Sequence, residues 1–325
     1  MGYGNYSQTA HEALTADRAS LPRTEVFRQR GCHALMDPRG LAVRESRDSD
    51  EHPASLAITF ALDVTGSMGN IPELLARQEL PTFMKLLADC RIADPQVLFM
   101  AIGDAYSDGA PLQVGQFETT AELIDQWLTW SYLEGGGGGT GSESYELAFY
   151  VLAQHTDIDC WVKRKKRGYL FMTGDELPYP IVSRRQVEGL LGDQLDEDLP
   201  IEDVIAAAVE TYHLFFLIPD LQRRRQCEQR WRELLGDHVI CMESHEDTCA
   251  VAAAIVGLTE GALANIDAVA QVLQANGRSR QRVAATVRAL QPYADLLDPT
   301  AIRRVHAQPS SIRQARPNWW RRLFS

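Results

Sequence analysis

Apolar residues in this chain fall into two spacings. Short apolar runs at residues 56–62, 97–102, 169–172, 213–218 and 238–242 predict strands. Between them the apolar positions recur at helical spacing. Helices are predicted over 71–88, 121–130, 144–155, 201–210, 221–235 and 248–257. Pro72 suits the first turn of the first of these, and Pro81 predicts a kink or break further along it. One further helix is predicted near residues 8–19. Strands alternating with helices predict an α/β fold, a doubly wound and mostly parallel sheet covered on both faces. In such sheets ligands bind beyond the carboxyl ends of the strands.

The first of these strands ends in the most informative stretch of the chain, Phe60-Ala61-Leu62-Asp63-Val64-Thr65-Gly66-Ser67-Met68-Gly69. A buried strand delivers Asp63, Thr65 and Ser67 onto one tight loop. A carboxylate and two hydroxyls on a rigid turn suit a hard divalent cation such as Mg²⁺, and they equally suit a helix cap. A run of five glycines, Gly135 to Gly139, leads into Thr140-Gly141-Ser142-Glu143-Ser144-Tyr145-Glu146. Another strand runs out into Thr173-Gly174-Asp175-Glu176. Several other motifs are excluded. Thr65 stands where an aspartyl-phosphate enzyme would carry a second aspartate, and also where a Gly-x-Ser-x-Gly elbow around Ser67 would carry its first glycine. No Gly-Lys-Ser/Thr follows the glycine run, so it is not a P-loop.

Asp63-x-Thr65-x-Ser67 resembles the first metal motif of the von Willebrand factor A (vWA) domain, whose usual form is Asp-x-Ser-x-Ser. The glycine run ending in Thr140 resembles that family's Gly-Gly-x-Thr loop, and Thr173-Gly174-Asp175 its Thr-Asp-Gly strand end. In the last motif the aspartate follows the glycine, which leaves Asp175 and Glu176 as alternatives, with Asp175 favoured. The resemblance covers roughly residues 55 to 258. It implies a Rossmann-like vWA fold with one Mg²⁺ or Mn²⁺ per chain, held by Asp63, Thr65, Ser67, Thr140 and Asp175. It also implies binding rather than catalysis: the cation keeps an open position for an Asp or Glu of a partner protein. Intracellular members work with AAA-type ATPases or as scaffolds. The eight histidines are scattered and none flanks a motif, so no catalytic residue is assigned. Two alternatives are an Mg²⁺-dependent hydrolase using the same carboxylates and a protein that associates with nucleic acid through its C-terminal tail.

Composition fits a globular chain. Of 325 residues 45% are hydrophobic and 23% charged, and no apolar run is long enough to cross a membrane as a helix. The first residues have neither the basic start nor the apolar core of a secretory signal. Six scattered cysteines read as free thiols in a reducing cytoplasm. Cys241, His245 and Cys249 match no familiar zinc spacing. The organisation expected is an N-terminal extension (1–54), a vWA-like metal-binding domain (55–258) and a helical basic appendage (259–325). The charged stretch 44–51 and the cluster 163–167 read as solvated segments. Asp104 and Asp108 lie at another strand end and read either as an accessory acidic site or as an ordinary polar turn. Residues 278–325 hold ten arginines and two aspartates, a net +8, so with −12 overall residues 1–277 carry −20. Such an arm either reaches an acidic partner, nucleic acid or membrane surface, or lies on the chain's own acidic body.

Overall fold

The computed structural model describes residues 4–66, 68, 70–135 and 141–297. Ser67, Thr140 and the arginine- and tryptophan-bearing residues 298–325 therefore lie outside the described residues. A six-stranded sheet forms the centre. Its strands are β1 (Leu56–Asp63), β2 (Pro95–Ile102), β3 (Leu112–Val114), β4 (Gly168–Thr173), β5 (Tyr212–Ile218) and β6 (Val239–Cys241), in the spatial order β6-β5-β4-β1-β2-β3. All neighbours pair in parallel except β3, which runs antiparallel on the edge beside β2. That short edge strand was not read from the sequence.

Each strand side faces helices, which is why the central strands are apolar throughout rather than alternating. The helices that matter here are α1 (Gln8–Arg18), α2 (Leu80–Asp89), α3 (Ala121–Thr129), α4 (Tyr145–Gln154), α5 (Ile201–Thr211), α6 (Leu221–Leu235), α7 (Thr248–Thr259), α8 (Ile266–Ala275) and α9 (Arg280–Leu297). On one face the register places Phe99, Phe60, Phe171 and Phe215 side by side on four adjacent strands. Their rings lie 5.5–5.8 Å apart, and Phe83 of α2 and Tyr293 of α9 close over them. On the other face Trp231 of α6 stacks on Phe216 at 3.7 Å and meets Tyr145 of α4 edge-on. The two aromatic clusters are the two halves of the core.

The helical run predicted over 71–88 is interrupted. Asn70–Leu74 is α-helical, Leu75–Glu79 is a π-helical turn, and α2 follows. Pro81 has no N–H to return to the carbonyl four residues back, and the helix widens just before it. One charged stretch also differs from the solvated segment expected. Arg44–Ser46 pairs in parallel with Thr156–Ile158, and Arg47 is held by Asp157 (2.6 Å) and Asp159 (3.1 Å). The cluster 163–167 is exposed as expected except for the half-buried Lys166; Lys163 and Arg164 bind Asp48 and Lys166 binds Glu260.

Helices α8 and α9 pack on each other, and α9 also packs on α7. A partly buried ion network fastens them: Arg278 pairs with Glu79 and Asp247, and Arg282 with Asp247 and Glu246. Arg288 reaches Glu243 at 2.7 Å. As far as it is described, the arginine-rich segment thus lies on the chain's own acidic body. No helix among the described residues is long and apolar enough to cross a membrane.

Candidate metal centre

Strand order reverses direction at β1. The chain leaves β1 for β2 on one side and later returns to β4 on the other, which is the kind of crevice where open α/β sheets bind ligands. Register puts Asp63 of β1 opposite Ile102 and Leu62 opposite Thr173. The residues that follow, Asp104 on one side and Asp175 on the other, therefore emerge at the same edge as Asp63.

Asp63 is fully buried. Its Oδ1 accepts from the Thr65 N–H (2.9 Å) and from the Thr65 hydroxyl (2.6 Å), so Thr65 closes a tight turn over the carboxylate. Its Oδ2 accepts from the Tyr145 hydroxyl at 2.6 Å. Burial raises the Asp63 pKa to about 7, against the pull of these three donors, and the nearby Asp175 adds to the rise. Burial and the same carboxylates push the Tyr145 hydroxyl far above the usual tyrosine range, so it is a fixed donor.

Asp175 is buried, and the guanidinium of Arg223, on the first turn of α6, stands 3.5 Å from its Oδ2. Glu176 is only half-buried, and its backbone carbonyl accepts from the indole N–H of Trp231 at 2.9 Å. Tyr145 also explains why glycine precedes aspartate at this strand end. A Cβ on Gly174 would lie 2.3 Å from the Tyr145 hydroxyl oxygen. Gly174 does not have a positive φ, so space and not backbone conformation demands it.

Asp104 heads a tight turn. It accepts from the Tyr106 N–H and the Ser107 hydroxyl, and from the Tyr179 hydroxyl, each at 3.0 Å. Tyr106 packs at a tilt against Tyr179 with ring centres 4.6 Å apart and is 60% exposed, an aromatic at the rim. The segment after the glycine run is stitched to this turn. Ser144 donates its N–H to the Gly103 carbonyl (3.1 Å), and its hydroxyl accepts from the Ala105 N–H (2.9 Å). Between them Glu143 is buried, paired on the backbone with Pro178. Desolvation and four neighbouring carboxylates, Asp63, Glu176, Asp104 and Asp108, raise its pKa to about 9.

Of the five residues expected to hold a cation, the structure brings Asp63, Thr65 and Asp175 to one crevice. Ser67 and Thr140 lie outside the described residues. The donors present are oxygens, the chemistry of a hard cation. Among the described residues no three His, Cys, Asp or Glu side chains converge closely enough to hold an ion unaided. A cation here would draw on hydroxyls and water as well as on Asp63 and Asp175. Sequence reading missed Tyr145 and Glu143. Nothing in the pattern marks a helix-start tyrosine or a loop glutamate as facing a residue some eighty positions earlier.

No protein-family model matches the sequence, and no curated protein does. Solved structures give distant likenesses. The pilus adhesin SpaC from Lactobacillus rhamnosus GG is 10% identical, with a TM-score of 0.43 over 70% of this chain and 31% of its own. Proximal thread matrix protein 1 from the mussel byssus is 10% identical, with a TM-score of 0.40 over 66% and 48%. A von Willebrand factor type A protein from Catenulispora acidiphila is 11% identical, with a TM-score of 0.39 over 64% and 43%. The match spans less than half the length of each of these proteins. Likeness of that degree says nothing of function.

Proposed function

We propose that this chain is a protein-binding scaffold that uses one Mg²⁺ or Mn²⁺ at the carboxyl edge of its sheet to capture an Asp or Glu of a partner. The observation that carries this reading is the placement of Asp63, Thr65 and Asp175 at the crevice where the strand order reverses. Asp63 and Asp175 would hold the cation directly or through water, with hydroxyls of Thr65, Ser67 and Thr140 completing the oxygen set. The cation supplies a Lewis-acidic position for the partner's carboxylate. Among the acidic residues at this edge, the exposed Tyr106 offers the partner an aromatic contact, the residue type enriched in binding hot spots. Arg278, Arg282 and Arg288 are engaged with carboxylates of the body, which favours this reading over a nucleic-acid arm for the described part of the tail.

The test is capture of partners from native lysate with and without EDTA, using wild type and Asp63→Ala. Partners that bind wild type, and are lost both in EDTA and with Asp63→Ala, are expected. A partner set unchanged by both perturbations would overturn the reading. Assays of the purified protein with Mg²⁺ and phosphate-ester or carboxyl-ester substrates are expected to show no turnover. Robust activity lost on Asp175→Asn would favour a hydrolase.

A further inference from the structure

A buried carboxylate oxygen without a hydrogen bond is costly, and a fold retains one only for a reason. Glu143 is such a case. The residue is 2% exposed, and its Oε2 has no hydrogen-bond partner among the described residues. Its backbone is pinned on both sides. Glu143 pairs with Pro178 in the segment following Asp175, and the next residue, Ser144, is bonded to Gly103 and Ala105 beside Asp104. Two residues on, Tyr145 donates to Asp63. Glu143 therefore sits among the three loops that frame the crevice, near enough to Asp63, Glu176, Asp104 and Asp108 for their charges to act on it.

We propose that Glu143 is a positioning carboxylate for the cation of this site, holding a cation-bound water rather than touching the ion. This rests on the metal-site reading above and adds a residue that the Asp-x-Thr-x-Ser, threonine and aspartate motifs do not contain. Among the described residues Glu143 does not join Asp63 and Asp175 in a three-carboxylate cluster. Water suits this arrangement, because Mg²⁺ surrenders its hydration shell reluctantly and usually keeps several waters. The waters of a bound dication donate strongly, and an orphaned, immobile carboxylate oxygen is a matched acceptor.

Glu146 provides an internal comparison. It is also buried, but its carboxyl is drawn by the backbone N–H groups of Glu146 and Tyr179, and of the acidic residues at this edge Asp104 is the one that acts on its charge. The experiment measures Mn²⁺ and Mg²⁺ binding by calorimetry for wild type, Glu143→Gln, Glu143→Ala, Glu146→Gln and Asp63→Ala. Each variant is also melted in EDTA. Glu143→Gln is expected to weaken Mn²⁺ binding by about tenfold or more, within the range seen for outer-shell partners of metal ligands. Its melting temperature in EDTA should be unchanged or higher, because Gln keeps the shape of the buried side chain and cannot ionise among its acidic neighbours. Glu146→Gln should bind Mn²⁺ as wild type does. Wild-type affinity in Glu143→Gln and Glu143→Ala, with binding lost in Asp63→Ala, would overturn the role of Glu143 and leave the metal site standing. Binding that survives Asp63→Ala, or no binding by wild type, would overturn the site and the role together. Equal weakening in Glu143→Gln and Glu146→Gln would reduce Glu143 to a general packing effect and overturn the proposal.

Discussion

Replacing Gly174 by alanine tests the arrangement at its tightest point. The new Cβ would lie 2.3 Å from the Tyr145 Oη, 2.6 Å from its Cζ and 2.8 Å from its Cε1, all far inside van der Waals contact. Tyr145 cannot retreat, because it is fully buried with Phe216 and Trp231 both at 5.5 Å. Overpacking of a tight core costs ~1–3 kcal/mol. Pushing the hydroxyl away from Asp63 forfeits a charge-assisted hydrogen bond, worth ~1.5–3 kcal/mol. Gly174→Ala should therefore lose about 3–5 kcal/mol in urea unfolding followed by tryptophan fluorescence in EDTA. Tyr145→Phe, which removes the hydrogen bond and keeps the ring, should lose only ~1.5–3 kcal/mol. In a Tyr145→Leu background the alanine has room, so the two changes should be strongly non-additive, coupled by ~2 kcal/mol. A Gly174→Ala protein within ~0.5 kcal/mol of wild type, which is the range of ordinary surface changes, would refute the steric account of the Gly-Asp order.

Other expectations follow from the same geometry. Arg223→Gln removes the guanidinium beside Asp175, a cation that competes with a metal for that carboxylate, so Mn²⁺ affinity by calorimetry should rise a few-fold. Unchanged or weaker binding would mean that Arg223 orients Asp175 rather than competing for it. Arg278→Ala leaves Glu79 without its buried partner, while Asp247 keeps Arg282, and should cost ~3–5 kcal/mol in thermal or urea unfolding. Stability in EDTA should also fall from pH 7 to pH 9. Glu143 holds its proton up to about pH 9 in the folded chain, whereas the unfolded chain releases it near pH 4–5, so ionisation over this window works against folding. The buried His11 and His213, both lowered to about 4, act only below about pH 6.5 and do not oppose this trend. Each tenfold difference in proton affinity is worth ~1.4 kcal/mol, and scanning calorimetry across the window reads the sum. A melting temperature that rises from pH 7 to 9 would contradict the burial of Glu143.

The sheet was legible because its strands are apolar on both faces, and a run such as residues 169–172 has no other place to go than a covered parallel sheet. What pattern could not supply was pairing at a distance. β3 is three residues long and gains its place by hydrogen bonding to β2, not by its own periodicity. The stretch 44–51 looked solvated because its charges alternate, yet Arg47 and Asp48 also take partners more than a hundred residues on. At the site the strand-end aspartates were readable, since abrupt termination of an apolar run in Asp63 is a local signal. Tyr145 and Glu143 were not. Their roles depend on how the segment after the glycine run lies across β1 and β2, and no local spacing encodes that.

The position of α6 links the two sides of the crevice. Arg223, in its first turn, reaches Asp175, and Trp231, two turns further on, binds the Glu176 carbonyl and packs edge-on against Tyr145. Tyr145 in turn fixes Asp63. One helix therefore bears on both aspartates, on Asp175 by charge and on Asp63 through an aromatic contact and a hydrogen bond. Against this rigid frame stand the carboxyls of Asp63 and Glu143, whose proton affinities are both raised by burial. Residues chosen for stability alone would not be carboxylic acids at these buried positions at one edge of a sheet, because each costs free energy that an apolar side chain would not. The central phenylalanine ladder and its covering helices supply the stability that tolerates them. A fold that spends stability at one edge, and stiffens that edge with a helix from the far side, is organised around what that edge holds.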